Sequence, residues 1–394
     1  MNLKTVTSLL LVFTFLSFFC TATPAQDQTT DPRIAEIAHK VVMVSAKVQP
    51  GEVVAISGNE ARLALMEALA IEARKAGAIV PIFVTTDRIE RANFTEVPDQ
   101  YLGQPDPTLV WMKNVDVWIF TGDIDDAKAV MNGVPDTKVA KARQSADALR
   151  KELEKSKYRG VFIGVPDKYD ATYAEVDWKT YQNMVWDAIN ADYTAIAAKA
   201  DALTKILETG KTFHITCPAG TDLTIALDGK RAYPNVGMPA HSDQFMGRQA
   251  TLPGGDVIVV PVESSTSGKV IAPKDVCEPY EYLTGATYTF QNGKMTSFTA
   301  KNNAQCFEKM YAAYGGDKDR IATIQIGLNP ALRVMEDKSE FRPPDAAGMV
   351  TLGMGQNQLF GGNNKTEFGW GIPIVNATVS VDGNTIIKDG KLTF

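Results

Sequence analysis

The chain is poor in the residues that most often build metal and nucleophile sites. Only three of its 394 residues are histidine and four are cysteine, and no CxxC or Cys/His cluster occurs, which argues against a zinc–thiolate site. No GxGxxG follows any strand-like segment, so dinucleotide binding has no support; Ser57-Gly58-Asn59, after the first such segment, lacks that spacing. Ser264-Ser265 lies in no GxSxG context, and serine hydrolysis is equally unsupported. The formal net charge is −6 with no basic patch, which disfavours nucleic acid or an anionic membrane surface as a partner. Neither an internal repeat nor a low-complexity run is present.

What remains is the composition of a soluble folded protein, with 45% apolar and 22% charged residues and enough length for two domains with sizeable cores. Lys4, the apolar run Leu9 to Phe19 and the small residues Ala22 and Ala25 read as a secretory signal peptide over residues 1–25. The run is too short to span a bilayer, so export to the periplasm or the outside is expected, with no membrane contact after cleavage. Losing Lys4 with this segment takes the formal charge from −6 to −7. Cys217, Cys277 and Cys306 then remain, allowing at most one internal disulfide and a free thiol.

Residues 26–210 alternate strand-like and helix-like segments. Asp31–Ala46 reads as an amphipathic helix, Val53–Ile56 as a buried strand, and Glu60–Lys75 as a helix capped by Asn59 and closed at Gly77. Further strands are expected at Ile79–Val84, Val115–Gly122 and Gly160–Val165, and helical stretches at Lys138–Lys157 and Trp178–Glu208. This alternation predicts an α/β N-terminal domain with an open parallel sheet. Residues 211–394 turn to hairpins over Thr212–Cys217, Asp222–Leu227, Val257–Pro261, Thr284–Phe290 and Met295–Thr299. Tight turns at Asn292-Gly293, Asp382-Gly383 and Asp389-Gly390 complete the reading of an α+β C-terminal domain.

Several blocks carry a family resemblance. They are Lys47-Val48-Gln49-Pro50-Gly51-Glu52-Val53-Val54, Ala70 through Ala78, Pro218 through Thr224, Leu252-Pro253-Gly254-Gly255-Asp256-Val257 with Pro261-Val262-Glu263, Ile326-Gly327-Leu328-Asn329-Pro330, and Phe360-Gly361-Gly362-Asn363-Asn364-Lys365. In this order the chain resembles the thermophilic metallo-aminopeptidases, aminopeptidase T and relatives. The resemblance implies a homodimer whose C-terminal domain carries two divalent metals held by two glutamates, two histidines and an aspartate. Carried over residue by residue, the first glutamate falls on Asp256 and the second on Thr323. The first histidine falls on Thr351, the closing His-x-Asp on Gly369 and Gly371 around Trp370, and a catalytic tyrosine on Gln358. The fold also resembles that of iron-dependent ring-opening dihydroxypyridine dioxygenases, through the same carboxylate and His-x-Asp positions, so that reading is disfavoured on the same ground.

Glycine has no side chain to ligate with, and a threonine hydroxyl is a poor ligand for zinc or cobalt. Catalytic zinc needs about three protein ligands, and it lowers a water pKa from ~16 to about 7. One carboxylate cannot supply that. The expectation is therefore an exported relative that has lost metal-dependent hydrolysis and needs no cofactor. It would bind a small molecule or peptide, or run altered chemistry, with Gln358 and Trp370 lining the space the ligands vacate. That space is either filled by neighbours or kept as a pocket. The alternative is an active aminopeptidase holding one divalent metal (zinc, cobalt or manganese) on Asp256 with Glu263, His241 and Asp243. His39 reads as a surface residue and His214 as a core histidine.

Overall fold

The computed structural model describes residues 31–102, 108–135, 137–139, 141, 152–153, 155–229, 232–239, 246–278, 281–333 and 343–394. The segment read as a signal peptide, most of the expected Lys138–Lys157 helix, and His241 and Asp243 lie outside them.

A parallel sheet forms first. Strands β1 (Val54–Asn59), β2 (Ile82–Thr85), β3 (Val117–Phe120) and β4 (Arg159–Ile163) pair in the order β2-β1-β3-β4. All of β1 is buried, as a central parallel strand covered on both faces must be. Helix Leu63–Lys75 packs beside it, burying Leu65, Met66, Leu69, Ala70 and Ala73, one stripe at helical spacing. Asn59 caps the turn that opens this helix, its Oδ1 accepting from the Ala61 amide. Gly77, at φ +88°, closes it. The Asp31–Ala46 segment is a helix only over Ile34–Lys40 and continues as a π-turn over Val41–Ser45. Trp178–Glu208 is two helices, Trp178–Ile189 and Tyr193–Thr209, because Asp192 caps the second with its own carboxylate.

Beyond residue 210 the strands are β5 (Thr212–Thr216), β6 (Asp222–Ala226), β7 (Ala232–Asn235), β8 (Gln249–Leu252), β9 (Asp256–Val259), β10 (Ser267–Glu278), β11 (Glu281–Gln291), β12 (Lys294–Thr299), β13 (Ile321–Gly327), β14 (Val350–Gly355), β15 (Gly369–Ile374), β16 (Thr378–Val381), β17 (Asn384–Lys388) and β18 (Lys391–Leu392). Strand β8 leaves this half of the chain and joins the parallel sheet beside β4, making a fifth strand. An antiparallel sheet runs β12-β11-β10-β6-β5-β16-β17-β18, and a second runs β15-β14-β13-β9-β7. The three turns expected in this half all have both central residues at positive φ, from Asp389 at +48° to Gly383 at +81°, the geometry of two-residue hairpins.

The two antiparallel sheets share the aromatic part of the core. Tyr288, Phe298, Phe307, Phe368 and Trp370 meet ring to ring, with helix Ala304–Ala313 supplying Phe307. Cys306 is disulfide-bonded and Cys217 is a free thiol.

Candidate functional site

The five-stranded antiparallel sheet gathers the positions singled out in the sequence. Pairing puts Thr323 opposite Gly353 and Gly353 opposite Gly371. One step along, Ile258, Gln325, Thr351 and Pro373 form a second row, and Gly355 faces Gly369. Directly paired residues share a face, and residues two apart on one strand share it too. Thr323, Thr351, Gly369, Gly371 and Asp256 therefore lie on one face. The opposite face carries Val257, Val259, Ile324, Ile326, Leu352, Met354, Trp370 and Ile372, all buried. Trp370 is thus not a wall of the glycine space. Strand alternation turns it into the aromatic core, where its Nε1 donates to the Tyr288 hydroxyl at 3.0 Å.

The route into this sheet is short and tight. After β8 ends at Leu252, a cis peptide leads to Pro253, and Gly254-Gly255 deliver Asp256 to β9. Gly255 sits at φ +116°, and a Cβ there would fall 3.0–3.3 Å from Asn329, so only glycine passes without strain. Asn329 is wholly buried, its Nδ2 donating to the carbonyls of Gly254 and Ala188. The linker is thereby clamped between the sheet and helix Trp178–Ile189.

Asp256 is 1% exposed. Its Oδ1 accepts from Asn235 Nδ2 at 3.0 Å and its Oδ2 from Gln325 Nε2 at 2.9 Å. A side-chain hydrogen bond joins it to Asp345. Burial, and then the neighbouring Asp345 charge, push the Asp256 carboxyl well above the usual carboxylate range against the pull of the two amides. Burial raises Asp345 as well, while the bond to Asp256 works the other way. The two carboxyls face each other, and burial favours the neutral form of both. Asp345 escaped the sequence reading: it lies between Pro344 and the strand β14, and is held near Asp256 by the bridge of Ala346 to Asn329 and by the Asn329 amide, which donates to the Asp345 carbonyl at 2.8 Å.

The remaining ligand positions offer little. The Thr323 hydroxyl covers Gly353, where a Cβ would meet its Oγ1 at 2.3 Å. Thr351 Oγ1 is buried with no hydrogen-bond partner. At Gly369 a Cβ would meet nothing within 4 Å, and at Gly371 only the Thr351 methyl at 3.6 Å. Among the described residues, then, neighbours have not filled the space beside β15. Gln358 is exposed in a 3₁₀ turn.

Glu263 is not at this site. Its Oε1 accepts from the Asn363 amide at 2.9 Å and from Asn357 Nδ2 at 3.3 Å, pinning the 357–364 loop. Asp256 pairs with Gly327 at one end of β13, whereas Glu263 meets Arg320 and Asn357 at the other, roughly 20 Å away at 3.3 Å per residue. Two carboxylate side chains cannot span that separation to ligate one metal at about 2 Å. His241 and Asp243, the other members of the alternative metal set, lie outside the described residues. His214 is on the solvent side of β5, bonded to Asp222 at 2.9 Å, rather than in the core. His39 is on the surface beside Glu72.

A two-metal centre does not fit these residues. The one retained carboxylate has both oxygens committed, two positions are threonine and two have no side chain. Among the described residues no group of three or more His, Cys, Asp or Glu is placed to hold a metal.

The profile of the thermophilic metalloprotease family (M29) matches residues 30–318, and the chain belongs to that family. Its fold is that of wild-type AmpT from Thermus thermophilus, at a TM-score of 0.69 and 17% identity over 92% of this chain and 99% of that one. The 2,5-dihydroxypyridine dioxygenase of Pseudomonas putida KT2440 is also similar, with a TM-score of 0.62 and 15% identity over 92% and 98%. No curated protein matches by sequence. The family match stops short of β13, β14 and β15, which carry Thr323, Thr351, Gly369 and Gly371, whereas the structural matches run through most of the chain. No helix among the described residues is long and apolar enough to cross a membrane.

Proposed function

We propose that this aminopeptidase-like member of the metalloprotease family no longer hydrolyses peptides with a metal, and instead binds a peptide or small molecule at the glycine stripe of β15. One observation carries the reading. The five positions that the family resemblance assigns to ligands share one sheet face, and that face presents one buried, fully hydrogen-bonded carboxyl, two threonines and two glycines. The open space over Gly369 and Gly371 and the unpartnered Thr351 hydroxyl support retention of a pocket rather than its collapse. The protein is exported, on the strength of Lys4, the Leu9–Phe19 run and Ala25, and works as a homodimer, as the family resemblance implies.

The test is hydrolysis of L-leucine 4-nitroanilide and of dipeptides by the mature protein supplied with zinc, cobalt or manganese. No metal-dependent turnover is expected, while dipeptides should raise the melting temperature of the wild type and not of Gly371→Leu, which fills the stripe. Turnover that a chelator abolishes would refute the loss of hydrolysis and point back to the alternative with Asp256, His241 and Asp243. An equal dipeptide shift in the filled variant would refute the pocket.

A further inference from the structure

The parallel sheet carries an unassigned site at its carboxyl edge. In the order β2-β1-β3-β4 the chain leaves β1 toward β2 on one side and continues with β3 on the other. This is the reversal of strand order at which open α/β sheets form a crevice. The residues that follow β1 and β3 there include Arg62 and Gly122.

Arg62 is only 8% exposed, yet its Nε and Nη1 are buried and make no hydrogen bond. Its nearest charge is Asp125, whose Oδ1 is 3.6 Å from Nη1, an ion pair too long for a hydrogen bond. A guanidinium out of water with idle donors is costly unless something else satisfies them. The group lies across the mouth of the crevice: a Cβ on Gly122 would sit 3.8 Å from its Cζ and Nε. Beyond it, Asp167 and Asp170 follow β4, half-buried and close enough to feel the guanidinium charge. Asp87 is already consumed, accepting from Asn59 and from the Asp125 and Asp126 amides.

The ligand must suit one under-bonded cation beside three carboxylates. A phosphate dianion would face Asp125, Asp167 and Asp170 at once. A bare metal ion would face Arg62. A zwitterion matches both signs, since a carboxylate fits the planar fork of arginine and an ammonium relieves the acidic excess. We propose that this crevice binds a free α-amino acid, its carboxylate on Arg62 and its ammonium on Asp167 and Asp170. The site is independent of the β15 glycine stripe and stands whether or not that stripe binds peptides.

Isothermal titration of the mature protein with glycine, L-alanine, L-leucine and L-glutamate tests this, with acetate, methylamine and inorganic phosphate as partial probes. At least one amino acid should bind saturably and more tightly than any partial probe. Arg62→Met should weaken it by about tenfold or more, the effect of a lost charge-assisted hydrogen bond, and Asp167→Asn should weaken it less. Arg62→Met should also raise the melting temperature of the ligand-free protein, because it removes unsatisfied buried donors, while Gly371→Leu leaves amino-acid binding intact. Absence of binding by every amino acid, tighter binding of phosphate, or affinity unchanged in Arg62→Met would each overturn the proposal.

Discussion

The two faces of the five-stranded antiparallel sheet are built from the same strands and differ almost completely. On the inner face Val257, Ile324, Ile326, Leu352, Met354, Trp370 and Ile372 are buried, and Trp370 is both packed on Phe307 and bonded to Tyr288. On the outer face Gly369 has open space above it and Gly371 touches one methyl. Because side chains alternate along a strand, the inner face can maintain strand register while the outer face changes freely. That is how a chain 17% identical to AmpT can keep its fold while its outer face carries Thr323, Thr351, Gly369 and Gly371.

Substitutions on the two faces should therefore have very different effects. Trp370→Ala should cost about 3–5 kcal/mol of stability, the usual range for emptying a buried aromatic site, measured by chemical denaturation. Asp256→Ala should cost about 1–3 kcal/mol by stranding the Asn235 and Gln325 amides. Asp256→Asn should cost less, since burial disfavours the charged carboxylate and an amide brings no charge to the site. Introducing the His-x-Asp pair that the family resemblance implies, Gly369→His with Gly371→Asp, should cost within about 1 kcal/mol, as expected of exposed positions; a loss as large as that of Trp370→Ala would show that the outer face is packed after all.

The smallest expected effect lies outside this sheet and separates it from the parallel one. Burial pushes Asp167 from an ordinary 3.8 up to about 6. Between those values the native state holds a proton that the unfolded chain has released, so stability falls as pH rises from about 4 to 6. Asp167→Asn should flatten that slope and leave the protein more stable at neutral pH. An unchanged pH profile would mean that Asp167 is solvated like a surface carboxylate.

Local chemistry in the sequence announced much of the fold. The Asn59 cap, the stop at Gly77 and the Asn292-Gly293, Asp382-Gly383 and Asp389-Gly390 turns all act through a few adjacent residues, and each occurs where its pattern implies. Non-local pairing was not legible. Strand β8 is four residues long and joins β4 from nearly ninety positions away in sequence, and no local pattern marks that partner. The site shows the same division. The family blocks placed Thr323, Thr351, Gly369 and Gly371, and the pairing register brings them to one face. The Asp345 partner of Asp256 and the separation of Glu263 depend on how distant strands lie side by side. Trp370 was misjudged because its nearness to two glycines in sequence puts it, in a strand, on the opposite face.

The measurement that bears most directly on the central claim is metal content by plasma mass spectrometry of the mature protein, purified without chelators and supplied with zinc, cobalt and manganese. A site face holding one sequestered carboxyl predicts far less than one metal per chain. A stoichiometric pair of metals, lost together with hydrolytic activity in Asp256→Ala, would contradict it.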